Sequence, residues 1–210
     1  SSTASSTSTL SSLPLAEHLS PNPGHRWDSA RAASYDVKWK QMAAAGENPH
    51  GEVDFVLRFE PTSVLDAGCG TGRVAIELAS RGLDVAGSDI DAHMLVEAQS
   101  KAPELQWVQS DLAALDIGRT FDIVVMAGNV ILFVEPGTEE ACVAGAARHV
   151  APGGHLVAGF SLGRGVAADA WEAWLRRAGL NPVDRLSTWT GDPHTADSDY
   201  LVSIAERPVE

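Results

Sequence analysis

Basic residues are scarce in this chain: 15 Lys and Arg stand against 28 Asp and Glu among 210 residues, a formal net charge of −13. A nucleic-acid partner requires clustered cations to neutralise phosphates, and the sequence has no Lys/Arg cluster to supply them. The acidity favours solubility and mildly attracts cationic ligands. Cysteine is scarcer still. Cys69 and Cys142 alone build no disulfide framework, which fits a reducing compartment and predicts a cytoplasmic protein. No uninterrupted apolar run reaches the ~18 residues of a membrane-spanning helix, so no membrane partner is expected. The first residues lack the basic and apolar regions of a secretory signal, and internal repeats are missing.

What the chain does have is a hydrophobic content of 44%, enough for one full core. Ten of the first 12 residues are Ser or Thr, and Pro21 and Pro23 follow. Such a segment buries too little apolar surface to offset its ordering entropy, so residues 1–24 are predicted to be a disordered tail. Residues 25–210 then form a single domain, with helices over 25–60 ahead of a sheet core over 61–210. Helical patterns run over about 27–45 and 51–59, and Pro61 ends the second. These helices either form a lid over the carboxyl ends of the strands or pack against the sheet.

The chain is organised around Val64-Leu65-Asp66-Ala67-Gly68-Cys69-Gly70-Thr71-Gly72-Arg73. Apolar residues run into a carboxylate, glycines follow at every second position, and a helical pattern starts at once with Val74, Ala75, Leu78 and Ala79. This reads as a buried strand, a tight turn whose glycines admit a ligand to the backbone, and a helix N-terminus facing that ligand. Further strands are expected at 85–89, 105–109, 121–126 and 156–160, alternating with helices and giving a parallel α/β sheet. The strand at 121–126 is the most apolar and is placed centrally. The run Ala151-Pro152-Gly153-Gly154 is read as a turn. Segments 183–190 and 200–206 have no helix between them, so they are expected to form an antiparallel hairpin at one edge.

In such a sheet the ligand crosses the carboxyl ends of the strands. Asp89 ends the second strand, about 20 residues beyond the first, where an acid accepts hydrogen bonds from a ribose diol. Asp91 is better placed to cap the next helix. Asp111 ends the third strand and can reach an exocyclic amine, or serve as a turn acid. Gly70-Thr71-Gly72-Arg73-Val74-Ala75 also fits the dinucleotide fingerprint of nicotinamide oxidoreductases. Against that reading, Asp66 would repel a pyrophosphate, whereas it suits an ammonium group. Cys69 is read as a small apolar filler.

Together the run 64–73, Asp89, Ser110-Asp111-Leu112, the strand 121–126 and the turn 151–154 resemble the class I S-adenosylmethionine-dependent methyltransferases in order and spacing. The resemblance implies a Rossmann-like fold with a seven-stranded, mostly parallel sheet in the order 3-2-1-4-5-7-6. It also implies S-adenosylmethionine as cofactor and S-adenosylhomocysteine as product. By that resemblance Asp66 and Gly68 hold the methionine ammonium, Gly70 and Gly72 let the backbone close on the cofactor, and Asp89 binds the ribose. Asp111 and Leu112 hold the adenine, and Arg73, Ile90 and Met126 complete the cofactor set. The stretches Gly46-Glu47-Asn48-Pro49-His50-Gly51-Glu52 and Ala127-Gly128-Asn129 resemble small single-domain actinobacterial members, some of which methylate sugar hydroxyls of mycobacterial polysaccharides.

The expected substrate is a small molecule and the expected acceptor a hydroxyl oxygen, with a nitrogen as the alternative. A nicotinamide oxidoreductase and an inactive cofactor-binding protein are the alternatives of other classes. A hydroxyl acceptor needs a positioned base. His50 is the first candidate, or else a helix-capping residue; His194 can reach over the pocket from the final hairpin, or lie simply exposed. Asn129 follows the fourth strand and either binds the substrate or organises its loop. Trp27, Tyr35 and Trp189 are candidate aromatic walls for the substrate, or core residues. His149 is read as structural. No carboxylate follows the fourth strand, so no catalytic metal is predicted, although Asp192, Asp197 and Asp199 form an acidic cluster. Monomer and homodimer both remain open.

Overall fold

The computed structural model describes residues 34, 36–46 and 48–209. The predicted tail and the candidates Trp27 and Tyr35 lie outside the described residues. Short apolar runs bounded by glycine or polar residues form the central strands, and seven strands assemble into one sheet. The strands are β1 (Ser63–Ala67), β2 (Asp84–Asp89), β3 (Gln106–Gln109), β4 (Phe121–Met126), β5 (Val150–Ser161), β6 (Asn181–Leu186) and β7 (Tyr200–Glu206), in the order β3-β2-β1-β4-β5-β7-β6. Pairing is parallel from β3 to β5, and β7 runs antiparallel between β5 and β6. The apolar β4 occupies the middle of the sheet, as its composition predicts.

Alternate residues of the central strands feed two cores, one on each face. On one face Leu65, Val124, Leu156 and Phe160 pack beneath α5 (Glu139–Ala147) and α6 (Ala168–Arg177). Trp171 of α6 is fully buried and meets Phe160 edge-to-face with ring centroids 5.2 Å apart. On the other face Val64, Ile123, Val125 and Val157 receive α2 (Gly51–Val56) and α3 (Arg73–Ser80). The helix α4 (Ala92–Lys101) turns Met94, Leu95 and Ala98 inward, one helical turn apart.

The N-terminal segment divides the two readings of its role. Val53, Phe55 and Val56 of α2 are buried against the sheet, so that helix packs. By contrast α1 (Val37–Ala44) and the residues beside it reach the glycine turn. Asp36 accepts a 2.6 Å hydrogen bond from Thr71 Oγ1 and pairs with Lys101 of α4.

Two expectations are corrected. The run Ala151-Pro152-Gly153-Gly154 is not a turn but a bulged opening of β5: Phe121 pairs with Val150 and Ile123 with His155, leaving extra β5 residues between them. The backbone there stays satisfied because Gly153 N–H donates to Arg207 O and Arg207 N–H to Gly154 O. The strand β6 ends at Leu186, because Thr188, Thr190 and Asp192 close a hydrogen-bonded turn beyond it. No helix among the described residues is long and apolar enough to cross a membrane.

The small residues of α5 let it press on the 3-10 turn Leu112–Ala114, and a Cβ on Gly145 would lie 1.7 Å from Leu112 O. Gly145→Ala should therefore destabilise the fold by about 1–3 kcal/mol through overpacking. The expected readout is a melting temperature several degrees lower, and an unchanged one would contradict this packing.

Candidate active site

The turn after β1 is fastened to β2 by its backbone: Gly68 N–H and Cys69 N–H both donate to Ser88 O, at 2.8 and 2.9 Å. Gly70 N–H donates to Asp89 Oδ2 at 2.8 Å, and Asp91 N–H to Asp89 Oδ1 at 2.9 Å. Asp89 is thus set in place by two backbone donors, while Asp91 caps α4 through His93 and Met94 N–H, as its position predicts. Asp111 caps the turn at Leu112 by accepting from Ala113 N–H.

Asp66 holds the deepest position. It is 2% exposed, and its Oδ2 accepts the Ala75 N–H of α3 at 3.1 Å. Gly72 at the N-cap has no side chain to cap that helix, so a strand carboxylate supplies the acceptor. Burial pushes the Asp66 carboxyl up to about 7 against the pull of Arg73. Burial raises the Asp89 carboxyl as well, against the backbone donors that favour its ionised form.

Above these groups opens a cavity of about 410 Å³, within the ~300–1,000 Å³ range of small-molecule clefts. Asp66, Gly68, Gly70, Arg73, Asp89, Ile90, Asp111, Leu112 and Asn129 all line it. Gly70 has positive φ, and a Cβ there would meet open space, so the backbone is bare toward the cavity. Asn129 also has positive φ, 67°, and is held by β5: its N–H donates to Gly159 O, and Ser161 N–H donates to its Oδ1 at 2.7 Å. Arg73 donates to both carboxylate oxygens of Glu52 at 2.6 and 3.0 Å, and its guanidinium lies 3.9 Å from the Trp39 ring centroid.

The other nominated residues are placed elsewhere. Gly72 does not line the cavity; a Cβ there would lie 2.7 Å from Trp107 Cη2, so its bareness serves packing. Met126 points into the core opposite α3 because strand alternation turns it away from the crevice. Trp189 packs edge-to-face on Phe55 and donates to Tyr200 OH, which makes it core rather than wall. His50 precedes α2 with Nε2 3.9 Å from Glu77, and His194 lies beside β6; neither lines the cavity. His149 is buried in structure, bonded to Gly145 O and Ile117 N–H. Among the described residues no group of three His, Cys, Asp or Glu could hold a metal ion, and Asp192 is engaged by Thr188 and Thr190.

Sequence reasoning missed Met94 and, in the segment after Asn129, Val130, Phe133, Val134 and Glu135, which also line the cavity. Met94 carried a signal, being apolar and three residues past the cap Asp91. The other segment lacks any motif.

A doubly wound sheet with a bare glycine turn and acids at the ends of β1, β2 and β3 defines a nucleoside-cofactor-binding α/β protein. Residues 64–154 match a family profile described as a methyltransferase domain. The crystal structure of a TehB-like S-adenosylmethionine-dependent methyltransferase from Corynebacterium glutamicum is similar with a TM-score of 0.79 and 33% identity, covering 86% of this chain and 100% of that one. The chain is 35% identical over 134 residues to the cypemycin N-terminal methyltransferase of a Streptomyces species, covering 61% of this chain and 53% of that protein. It is 34% identical over 100 residues to the dTDP-3-amino-3,4,6-trideoxy-α-D-glucopyranose N,N-dimethyltransferase of Streptomyces venezuelae, covering 47% and 42%. The chain thus spans about half the length of these curated relatives. It belongs to the class I S-adenosylmethionine-dependent methyltransferases. The cofactor of that family is S-adenosylmethionine, and a crevice with a buried carboxylate, a bare backbone turn and an apolar slot suits its ammonium and nucleoside.

A carboxyl raised by burial carries a definite pH signature. Between about pH 4 and 7 the folded chain holds a proton on Asp66 that the unfolded chain releases, so this group makes stability fall as pH rises through that window. Asp66→Asn should remove that part of the slope. Denaturant unfolding at pH 5.5 and 8 should show the variant gaining on the parent by on the order of 1–2 kcal/mol at the higher pH. Parallel profiles would mean that Asp66 ionises normally.

Proposed function

We propose that the chain transfers the methyl group of S-adenosylmethionine to a nitrogen of a small molecule. The observation that carries this reading is the charge of the crevice. Five carboxylates line it, from Asp66 at the closed end through Asp89, Asp91 and Asp111 to the exposed Glu135. Its one cationic lining residue among those described, Arg73, is neutralised by Glu52. Such a field concentrates cations, the charge state in which most aliphatic amines reach a site at neutral pH.

When bound, S-adenosylmethionine supplies an electrophilic sulfonium methyl group. Asp66 would hold its ammonium at the closed end, where Gly70 leaves the backbone bare. Asp89 would accept from the ribose hydroxyls, Ile90, Met94 and Leu112 would hold the base and Asp111 would take its exocyclic amine, all of them residues that line the cavity. On the acceptor side Asn129 is a fixed polar group, Val130 and Phe133 exclude water, and the exposed Glu135 attracts the cationic amine, which gives up its proton to solvent before its nitrogen attacks. Holding the two reactants in line accounts for up to ~7–11 kcal/mol of barrier lowering, so the protein needs little further chemistry.

The oxygen acceptor expected from the sequence required His50 or His194 at the reacting atom, and both lie off the crevice wall. The names of the two Streptomyces relatives, an N-terminal methyltransferase and an amino-sugar N,N-dimethyltransferase, support a nitrogen acceptor. The nicotinamide reading meets a second obstacle. The helix N-terminus that would bind a pyrophosphate is already occupied by Asp66.

Release of S-adenosylhomocysteine is the assay, run with matched acceptors such as an amino sugar and the sugar bearing a hydroxyl in its place. Turnover of the amines is expected, and turnover of hydroxyls alone would reverse the assignment. Glu135→Gln should raise KM for a cationic amine roughly two- to fivefold, the value of one exposed charge, with less effect on kcat. Asp89→Ala should weaken cofactor binding by on the order of 1–3 kcal/mol in calorimetry; unaltered affinity would remove Asp89 from the ribose site.

A further inference from the structure

Asp66 and Arg73 are opposite charges on one turn, yet no ion pair joins them. Asp66 takes a single backbone hydrogen bond, from Ala75. The guanidinium of Arg73 is turned the other way, into a clamp built by the N-terminal segment. Nη1 donates to Pro49 O at 2.5 Å and to Glu52 Oε2 at 3.0 Å, Nη2 donates to Glu52 Oε1 at 2.6 Å, and the plane lies over Trp39. Glu52 is itself 8% exposed, so this is a desolvated bidentate pair and not a surface contact. The charged groups that act on Asp66 are Arg73 from α3, Glu52 from α2 and Asp89 from β2, with the Cys69 thiol on the turn.

Two acids therefore share one arginine, and only one of them can hold it. We propose that Glu52 is a positioning residue for cofactor binding: it holds Arg73 off Asp66, so that the Asp66 carboxylate stays free for the ammonium of S-adenosylmethionine. The proposal rests on the reading of Asp66 given above. The alternative geometry, Arg73 folded onto Asp66, places a cation where the ammonium must go and occupies the carboxylate assigned to receive it. Because the clamp includes Trp39 and Pro49, docking of α1 is coupled to the position of the Arg73 guanidinium relative to Asp66. The burial of Asp66 against an unpaired surrounding gives a separate observable: a cation arriving there drives a proton off the carboxyl.

Calorimetric titration with S-adenosylmethionine at pH 6, in two buffers of different ionisation enthalpy, reads affinity and proton release together. The wild-type chain should bind with release of a proton. Glu52→Gln should bind about tenfold or more weakly, a coupling of ordinary size between two interacting sites. It should also release little or no proton, because the freed Arg73 has already ionised Asp66. Adding Arg73→Met to Glu52→Gln should return the affinity to within about threefold of wild type and restore the proton release, a recovery that a merely structural loss does not show. Undiminished affinity in Glu52→Gln overturns the proposal, and so does a loss that Arg73→Met does not repair. A wild-type chain that ignores the cofactor, or Asp66→Asn binding as tightly as wild type, overturns the assignment of Asp66 instead.

Discussion

The geometry of the crevice depends on one buried carboxylate accepting one backbone hydrogen bond. Asp66, at the end of β1, caps α3 through Ala75 because the N-cap position is a glycine. That bond joins strand to helix across the turn that carries Gly68 and Gly70, whose side-chain-free backbones face Ser88, Asp89 and the cavity. It also sets the electrostatics. A carboxylate at the helix N-terminus cancels the partial positive charge that would draw a phosphate, and presents negative charge to the ligand. Asp at position 66 thereby sets this loop apart from the dinucleotide fingerprint it resembles, because the helix N-terminus already holds a carboxylate.

The rest of the crevice extends this choice of charge. Asp89, Asp91, Asp111 and Glu135 continue the negative surface outward, and the Glu52–Trp39–Pro49 clamp removes the one opposing charge. Within the clamp, burial makes the pair selective as well as attractive, since desolvated partners do not exchange freely with water. An N-terminal segment that is remote in sequence from the glycine turn thus fixes the position of Arg73, a residue that lines the cavity.

Much of this was legible in the sequence. The strand–acid–glycine–helix run fixes which end of β1 faces the ligand, the spacing of Asp89 and Asp111 puts them on neighbouring strand ends, and the apolar run 121–126 marks the centre of the sheet. What could not be read was which way a side chain faces once its neighbours are known. Gly72 and Met126 lie within motif segments, but Trp107 presses on one and the pleat turns the other inward. Trp189 is claimed by Phe55 and Tyr200, contacts made across the sheet between residues far apart in sequence. His50, at the start of α2, and His194, in the loop of the final hairpin, suit a base by chemistry and chain position, but neither property specifies the distance to the cavity. The Pro152-Gly153-Gly154 run carries turn residues, yet Arg207, just beyond β7, supplies hydrogen bonds that keep it in the sheet.

The central claim is that Asp66 recognises an ammonium group. The most direct measurement compares binding of S-adenosylhomocysteine with binding of its analogue lacking the α-amino group, by calorimetry at pH 8, where Asp66 is ionised. The account predicts that the deaminated analogue binds at least about tenfold more weakly, a difference of ~1.4 kcal/mol or more. Equal affinities would contradict it, and would leave the buried carboxylate with only its helix-capping role.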